Sequence, residues 1–339
     1  MTPQRFSLGD LALQYGGTLP DAQLSYVTYG RLSAAKDNAV LIPTWCAGTH
    51  REAAWLIGTD RALDPERYFI VIVDFFGNGQ SSSPSNQPAP FARAAFPRIS
   101  LLDNVRAQRR LLHEVFGISR LRAVVGRSMG AQAAFQWASY FPDEVDSILA
   151  LAGSARTSPH NRAFLSCMRM ALISDPAWQG GNYESRPEEA LRRFLLTSDA
   201  WGFSQTWYRE GHHLATGYDS TEAYLSRPLP DRICDANDLL AQFLTWYWAD
   251  ISDNERYAKD FSAALAAIRA RVIVMPVQTD LYFPPEDSMI EVAGIGGAEL
   301  RVIPSIWGHR AGSPGTDPAD MDFIDRAIGD LLSKEGPAR

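Results

Sequence analysis

Cysteine is scarce in this 339-residue chain: only Cys46, Cys167 and Cys234 occur, with no CxxC spacing among them. An odd, sparse set excludes a disulfide framework and a structural zinc site as the basis of the fold. Long apolar runs are missing too. No stretch approaches about 18 uninterrupted apolar residues, so no membrane span is expected. The opening MTPQRFSLGDLALQYGG has no basic start followed by an apolar run, which predicts no secretory leader and a cytoplasmic protein. Basic charge is in the minority, with 32 Lys and Arg against 39 Asp and Glu, and it forms no stripe. A net charge of -7 so distributed gives no reason to expect a nucleic-acid partner. No internal repeat or low-complexity segment is visible.

What the chain has is bulk. Hydrophobic residues make up 46% of it, including 9 Trp, 12 Tyr and 16 Phe, enough for a sizeable core. The length suits one large domain carrying an insertion. LALQYGGTLPDAQLSYVTYGRL alternates around the turn signals Gly16, Gly17 and Pro20, and predicts a β-hairpin. NAVLIPTW (38–45), YFIVIVDFF (68–76), LRAVVG (121–126) and VDSILALAG (145–153) are short, nearly continuous apolar runs, which is how buried parallel strands read. SLLDNVRAQRRLLHEVFG and SMGAQAAFQWASYFP have helical spacing and stop at Gly117 and Pro142. Strands separated by helices predict an α/β fold with a mostly parallel sheet.

The pattern changes over 156–267, where helical spacing and tryptophans replace strands. It resumes with RVIVMPVQTD (271–280), a helix near 285–293, AELRVIPS (298–305) and the amphipathic DFIDRAIGDLLSK. A core made of 1–155 and 268–339, with 156–267 as a helical lid, is the expected organisation.

Chemistry is concentrated in VVGRSMGAQ. Gly126-Arg127-Ser128-Met129-Gly130 sits between a strand and a helix, which is the context the G-x-S-x-G pattern requires. The glycines relieve crowding at a sharp turn. That turn lifts the serine hydroxyl to a helix N-terminus, where backbone N–H groups favour developing negative charge. A nucleophilic serine needs a base, and the base an orienting carboxylate, in the chain order Ser, acid, His. Asp280 ends one late strand and His309 follows the next, so Ser128, Asp280 and His309 are the candidate triad. His113 falls within a helix, His160, His212 and His213 in the insertion, and His50 ahead of the serine. The oxyanion donors expected are the amide of Met129 and one from TWCAGTH, of Cys46 or Trp45. Cys46 has no base in the relation a thiol nucleophile needs. DFFGNGQSSS (74–83) lacks G-x-x-x-x-G-K-[ST] and is not followed at once by a helix, so it is not a phosphate loop. No metal or other cofactor is implied.

NAVLIPTW, GRSMGAQAAFQWA, ARTSPHNRAF, DPAWQGGNY, CDAND, TDLYFPPED and WGH resemble an α/β-hydrolase of the homoserine O-acyltransferase group over nearly the full length. The resemblance implies a helical lid, a triad of Ser128, Asp280 and His309, and a ping-pong route through an acyl-serine. It also implies a homodimer formed through lid helices. The departures are pointed. Where that group keeps an amine-binding aspartate after the histidine, this chain has Arg310. An ungapped alignment of EEALRRFLLTSDAWGFS puts Leu195 and Gly202 at the group's lid arginine and tyrosine, unless Arg192 or Arg193 takes the arginine's place. DFFGNGQSS is closer to the D-x-x-G-x-G-x-S of ordinary hydrolases.

The expectation is therefore a serine hydrolase of a carboxylic ester or related acyl compound. The alternative is an acyltransferase with an acceptor other than homoserine. Trp45, Arg310, Trp201 and Trp207 are the candidate substrate contacts. Phe203, Tyr208, Trp246, Tyr247 and Trp248 complete the set of lid aromatics that could line an acyl pocket, although helix packing is the commoner use of such residues.

Overall fold

A computed structural model describes residues 2–230 and 234–333. Eight strands form one sheet in the order β1-β2-β4-β3-β5-β6-β7-β8. They are β1 (Gln4–Ala12), β2 (Thr18–Tyr29), β3 (Ala39–Pro43), β4 (Phe69–Val73), β5 (Ala123–Arg127), β6 (Ser147–Leu151), β7 (Arg271–Met275) and β8 (Glu299–Leu300). β1 and β2 pair as an antiparallel hairpin, β2 joins β4 antiparallel, and the pairs from β4 through β3 to β8 are parallel.

Every residue of β3, β4, β5 and β6 is buried. The reason is visible in the alternation of side chains. Leu41, Val71 and Val73 point into one apolar cluster, while Val40, Ile42, Ile70 and Ile72 point into the other. A sheet covered on both faces needs apolar residues at successive positions, which is what these runs supply.

The helices are α1 (His50–Ala53), α2 (Leu101–Phe116), α3 (Met129–Tyr140), α4 (Pro159–Ile173), α5 (Glu188–Gly202), α6 (Gln205–Arg209), α7 (Thr221–Leu225), α8 (Ala236–Tyr247), α9 (Phe261–Ala266), α10 (Pro285–Gly294) and α11 (Pro318–Ser333). α2 starts where Ser100 and Asp103 form a reciprocal capping box and ends at Gly117, whose φ of 63° closes the last turn. α4 to α9 all fall within 156–267. Among the described residues that stretch has no strand, only an isolated bridge of Arg156 with Asp250.

That bridge is the neck of the helical segment. Thr157 N–H donates to the Ala249 carbonyl at 2.9 Å and Ile251 N–H to the Ala155 carbonyl at 3.1 Å. Glu291 on α10 closes the neck, its carboxyl accepting from Ala155 N–H at 2.5 Å.

One expected strand is shorter than its sequence. Of AELRVIPS only Glu299 and Leu300 form a ladder, with a detached bridge from Ile303 to Val277. β8 lies at the sheet edge with one neighbour, and Pro276, which follows β7, has no N–H to extend the ladder.

Candidate active site

The carboxyl ends of the parallel strands bring the candidate residues to one rim. Ser128 follows β5 directly, with φ 56° and ψ -125°, a conformation that a non-glycine residue adopts only under constraint. The constraint is crowding. A Cβ on Gly126 would lie 2.0 Å from the Gly130 carbonyl oxygen, and one on Gly130 would lie 2.6 Å from that of Pro43. Both glycines are thus required by close approach, and the turn they permit puts Ser128 at the N-terminus of α3.

Ser128 Oγ is 3.0 Å from His309 Nε2, and His309 Nδ1 is 2.8 Å from Asp280 Oδ2. All three side chains are buried. The other oxygen of Asp280 accepts from the amides of Tyr282 at 2.7 Å and Phe283 at 3.3 Å, which fixes the carboxylate against the imidazole. The Tyr282 ring lies over His309 with centroids 4.5 Å apart, and its hydroxyl donates to the Ser198 carbonyl at 2.6 Å. Burial holds the His309 imidazole below its ordinary pKa, against the opposing pull of Asp280.

The loop after β3 faces this group. Ala47 N–H donates to Gln242 Oε1 at 2.7 Å and Gly48 N–H to the Trp45 carbonyl at 3.0 Å. The amides of Cys46 and Met129 have no protein acceptor among the described residues. Burial pushes the Cys46 thiol pKa well up, so the residue carries no thiolate at neutral pH.

A cavity of about 240 Å³ opens onto Ser128 and His309. Trp45, Cys46 and Arg310 line it, as expected from sequence. Trp201 and Trp207 do not, and the reading of these two as substrate contacts is corrected. Trp201 stands behind the wall, packed on His160 and Phe164 at 5.2 Å each. Trp207 is fully buried and stacks on Phe203 at 3.9 Å, braced against Trp307 beside the His309 loop. Of the named lid aromatics Trp246 alone faces the cavity. Phe164, Phe194, Phe243 and Tyr282 complete the apolar wall. Phe164, Phe194 and Phe243 carry no signal beyond helical spacing, so only the packing of α4, α5 and α8 identifies them, whereas Tyr282 comes from the loop after β7, within TDLYFPPED.

Arg310 stands at the rim with a side chain 41% exposed, its guanidinium 3.8 Å from the buried carboxylate of Asp199. It therefore borders the cavity and also pairs with an acid of α5. Asp199 is shared, since Arg227 and the Tyr224 hydroxyl also bond it. A Cβ on Gly202 would meet the Tyr282 hydroxyl at 3.2 Å and Arg310 Nε at 3.6 Å, so a large residue at 202 has no room without rearrangement. Arg192 and Arg193 are engaged elsewhere, with the Arg227 carbonyl and with Asp175, and neither lines the cavity.

None of the other histidines lines the cavity at Ser128. His50 Nδ1 is 2.7 Å from Asp74, whose carboxylate also accepts from His50 N–H and Ser25 Oγ. DFFGNGQSS is thereby a brace for the loop after β3, a role with no sequence signal beyond its glycines. Among the described residues no group of three or more His, Cys, Asp and Glu is placed to hold a metal ion, and no helix is long and apolar enough to cross a membrane.

Comparison with known proteins agrees with this architecture. Residues 40–311 match the family described by the alpha/beta hydrolase fold. An ethyl acetate hydrolase from Pseudomonas veronii is 37% identical over 96% of this chain and 94% of its own length. A solved acetylester hydrolase from Corynebacterium glutamicum superposes with a TM-score of 0.92 at 37% identity, covering 98% of this chain and 96% of that one. A homoserine O-acetyltransferase from Symbiobacterium thermophilum is 33% identical over 89% of this chain and 87% of its own. Matched across most of its length and carrying a G-x-S-x-G turn between β5 and α3, the chain belongs to the α/β-hydrolase family.

Proposed function

We propose that the chain is a carboxylic ester hydrolase working through an acyl-serine. The observation that carries this reading is the unbroken relay from Ser128 to His309 to Asp280 at the floor of a cavity. Ser128 Oγ attacks the ester carbonyl while His309 Nε2 takes its proton, and the imidazolium is stabilised by Asp280. The amides of Met129 and Cys46 donate to the oxyanion. The tetrahedral adduct collapses, and the leaving alcohol departs with the proton held by His309. Water, deprotonated by His309, then attacks the acyl-serine and releases the carboxylic acid.

The substrate is a small ester. The cavity of about 240 Å³ is walled by Phe164, Phe243 and Trp246, which suits a short acyl group. The relatives named for acetyl ester and ethyl acetate hydrolysis support the same size class. We assign 156–267 the role of a lid, supported by the cavity residues it supplies from α4, α5 and α8. A cytoplasmic location and a homodimer through the lid helices belong to the same proposal, and the dimer is read by light scattering of the purified protein.

Transfer to an acceptor other than water is the second reading. The homoserine O-acetyltransferase relative favours it, because the acyl-serine step is common to both reactions. Two guanidinium groups at the cavity, Arg127 and Arg310, oppose an acceptor bearing an ammonium group. The deciding experiment supplies the enzyme with p-nitrophenyl acetate alone, and separately with acetyl-CoA and homoserine. Rapid nitrophenol release without O-acetylhomoserine is the expected result; efficient O-acetylhomoserine formation would overturn the hydrolase reading.

A further inference from the structure

Arg127 occupies the variable position of the G-x-S-x-G turn, where the motif sets no requirement. It is an expensive residue to put there. Its side chain is buried at 5% exposure, and among the described residues it has no carboxylate within ion-pair distance. A buried cation with no close counter-ion is strongly disfavoured, and the more distant charge of Asp280 offsets this only in part. What the guanidinium has is the His309 backbone carbonyl, to which Nη2 donates at 2.5 Å, and the Trp45 ring, 5.5 Å from its carbon. Its Nε is buried with no partner among the described residues. Burial lowers its pKa to about 10, which leaves it cationic at neutral pH.

We propose that Arg127 is a positioning residue for the hydrolysis. Its guanidinium holds the loop carrying His309 through the Nη2 bond to the His309 carbonyl, and its charge, unpaired at ion-pair distance, disfavours the imidazolium. The proposal rests on the ester-hydrolase reading for its catalytic meaning.

The groups around the imidazole support the charge effect. Asp280 faces Nδ1 and favours the imidazolium, Ser128 faces Nε2, and the neutral rings of Tyr282 and Phe283 lie alongside. Arg310 adds a second positive charge from the rim, partly neutralised by Asp199. Arg127 is therefore a buried cation beside His309 with no carboxylate in ion-pair distance among the described residues, its charge offset in part by Asp280. An imidazolium destabilised this way is a stronger acid. It delivers its proton more readily to a leaving alkoxide, which matters most when the alcohol is a poor leaving group.

The test compares wild type with Arg127→Lys, Arg127→Gln and Arg127→Met, each checked for folding by thermal melting. The readouts are kcat/KM against pH for p-nitrophenyl acetate and ethyl acetate, and the His309 titration followed by NMR. In Arg127→Met and Arg127→Gln the acid limb should move up by about half a pH unit or more, roughly threefold in rate on that limb. Their kcat should fall further for ethyl acetate than for the nitrophenyl ester, with KM moving less than kcat. Arg127→Lys, which keeps the charge and loses the planar guanidinium that reaches the His309 carbonyl, should leave the limb low while still lowering kcat. A folded Arg127→Gln with wild-type limb, wild-type His309 titration and wild-type ester ratio would overturn the proposal. If wild type itself hydrolyses neither ester and a fluorophosphonate fails to label Ser128, the hydrolase reading fails, and the NMR titration across the variants still decides the charge effect.

Discussion

Ser128 is held in its unusual backbone conformation by two glycines that have no room for a Cβ, and this makes its loss separable from loss of the fold. Ser128→Ala removes one hydroxyl and leaves the turn in place. Hydrolysis of activated esters should drop by on the order of 10⁴ or more while the melting temperature stays near wild type. Residual activity within about tenfold would assign the nucleophile elsewhere. The base has its own signature. His309 must be neutral to accept the serine proton, and burial has lowered its pKa below the ordinary 6.5. The neutral form thus persists to lower pH, and kcat/KM should remain high below pH 6.5 before it falls. Arg310 calls for a paired comparison. Arg310→Ala should lower the rate for an ester bearing a carboxylate several-fold relative to a neutral ester. An unchanged ratio would mean that the guanidinium serves Asp199 alone.

At the scale of elements, the neck of the helical segment depends on an acid that α10 buries. Glu291 accepts from Ala155 N–H, its other oxygen has no partner among the described residues, and burial raises its pKa well above 4.5. The sign follows from proton uptake. The folded chain keeps this proton above pH 4.5, where the unfolded chain has released it, so stability falls as pH rises from there toward the folded pKa. Glu291→Gln keeps an acceptor for Ala155 and removes the ionisation. Its melting temperature should exceed that of wild type at pH 8 and approach it near pH 4. A wild-type pH dependence in the variant would show that Glu291 does not control the neck. The cavity wall is an element property as well. Trp246 on α8 packs on Phe243 and Phe283 while facing the cavity, so Trp246→Ala should cost about 3 kcal/mol in unfolding experiments. The same change should shift preference toward longer acyl chains, read from KM across acetate, butyrate and hexanoate esters.

For the molecule as a whole, local chemistry determined most of the sheet and the chain order of the candidate triad. Buried parallel strands need continuous apolar runs, and a nucleophile turn needs glycines at fixed offsets, so both were legible from neighbours in sequence. The hairpin, the helix ending at Gly117 and the absence of strands among the described residues of 156–267 were readable for the same reason. Even His309 could be located, because it follows the strand after the one that leads to Asp280. Tertiary packing decided what no local window contains. Trp201, Trp207 and Trp246 are alike in sequence, yet only Trp246 reaches the cavity, because each helix can turn one face inward and its neighbours choose which. Arg310 meets Asp199 of α5, 111 residues earlier in the chain. Arg127, which the motif leaves open, acquires its place only when β5 and the His309 loop come within hydrogen-bond distance. Periodicity and turn chemistry act over a few residues and can be read along the chain. Which side chains share a cavity depends on how distant elements pack, and only the folded molecule settles that.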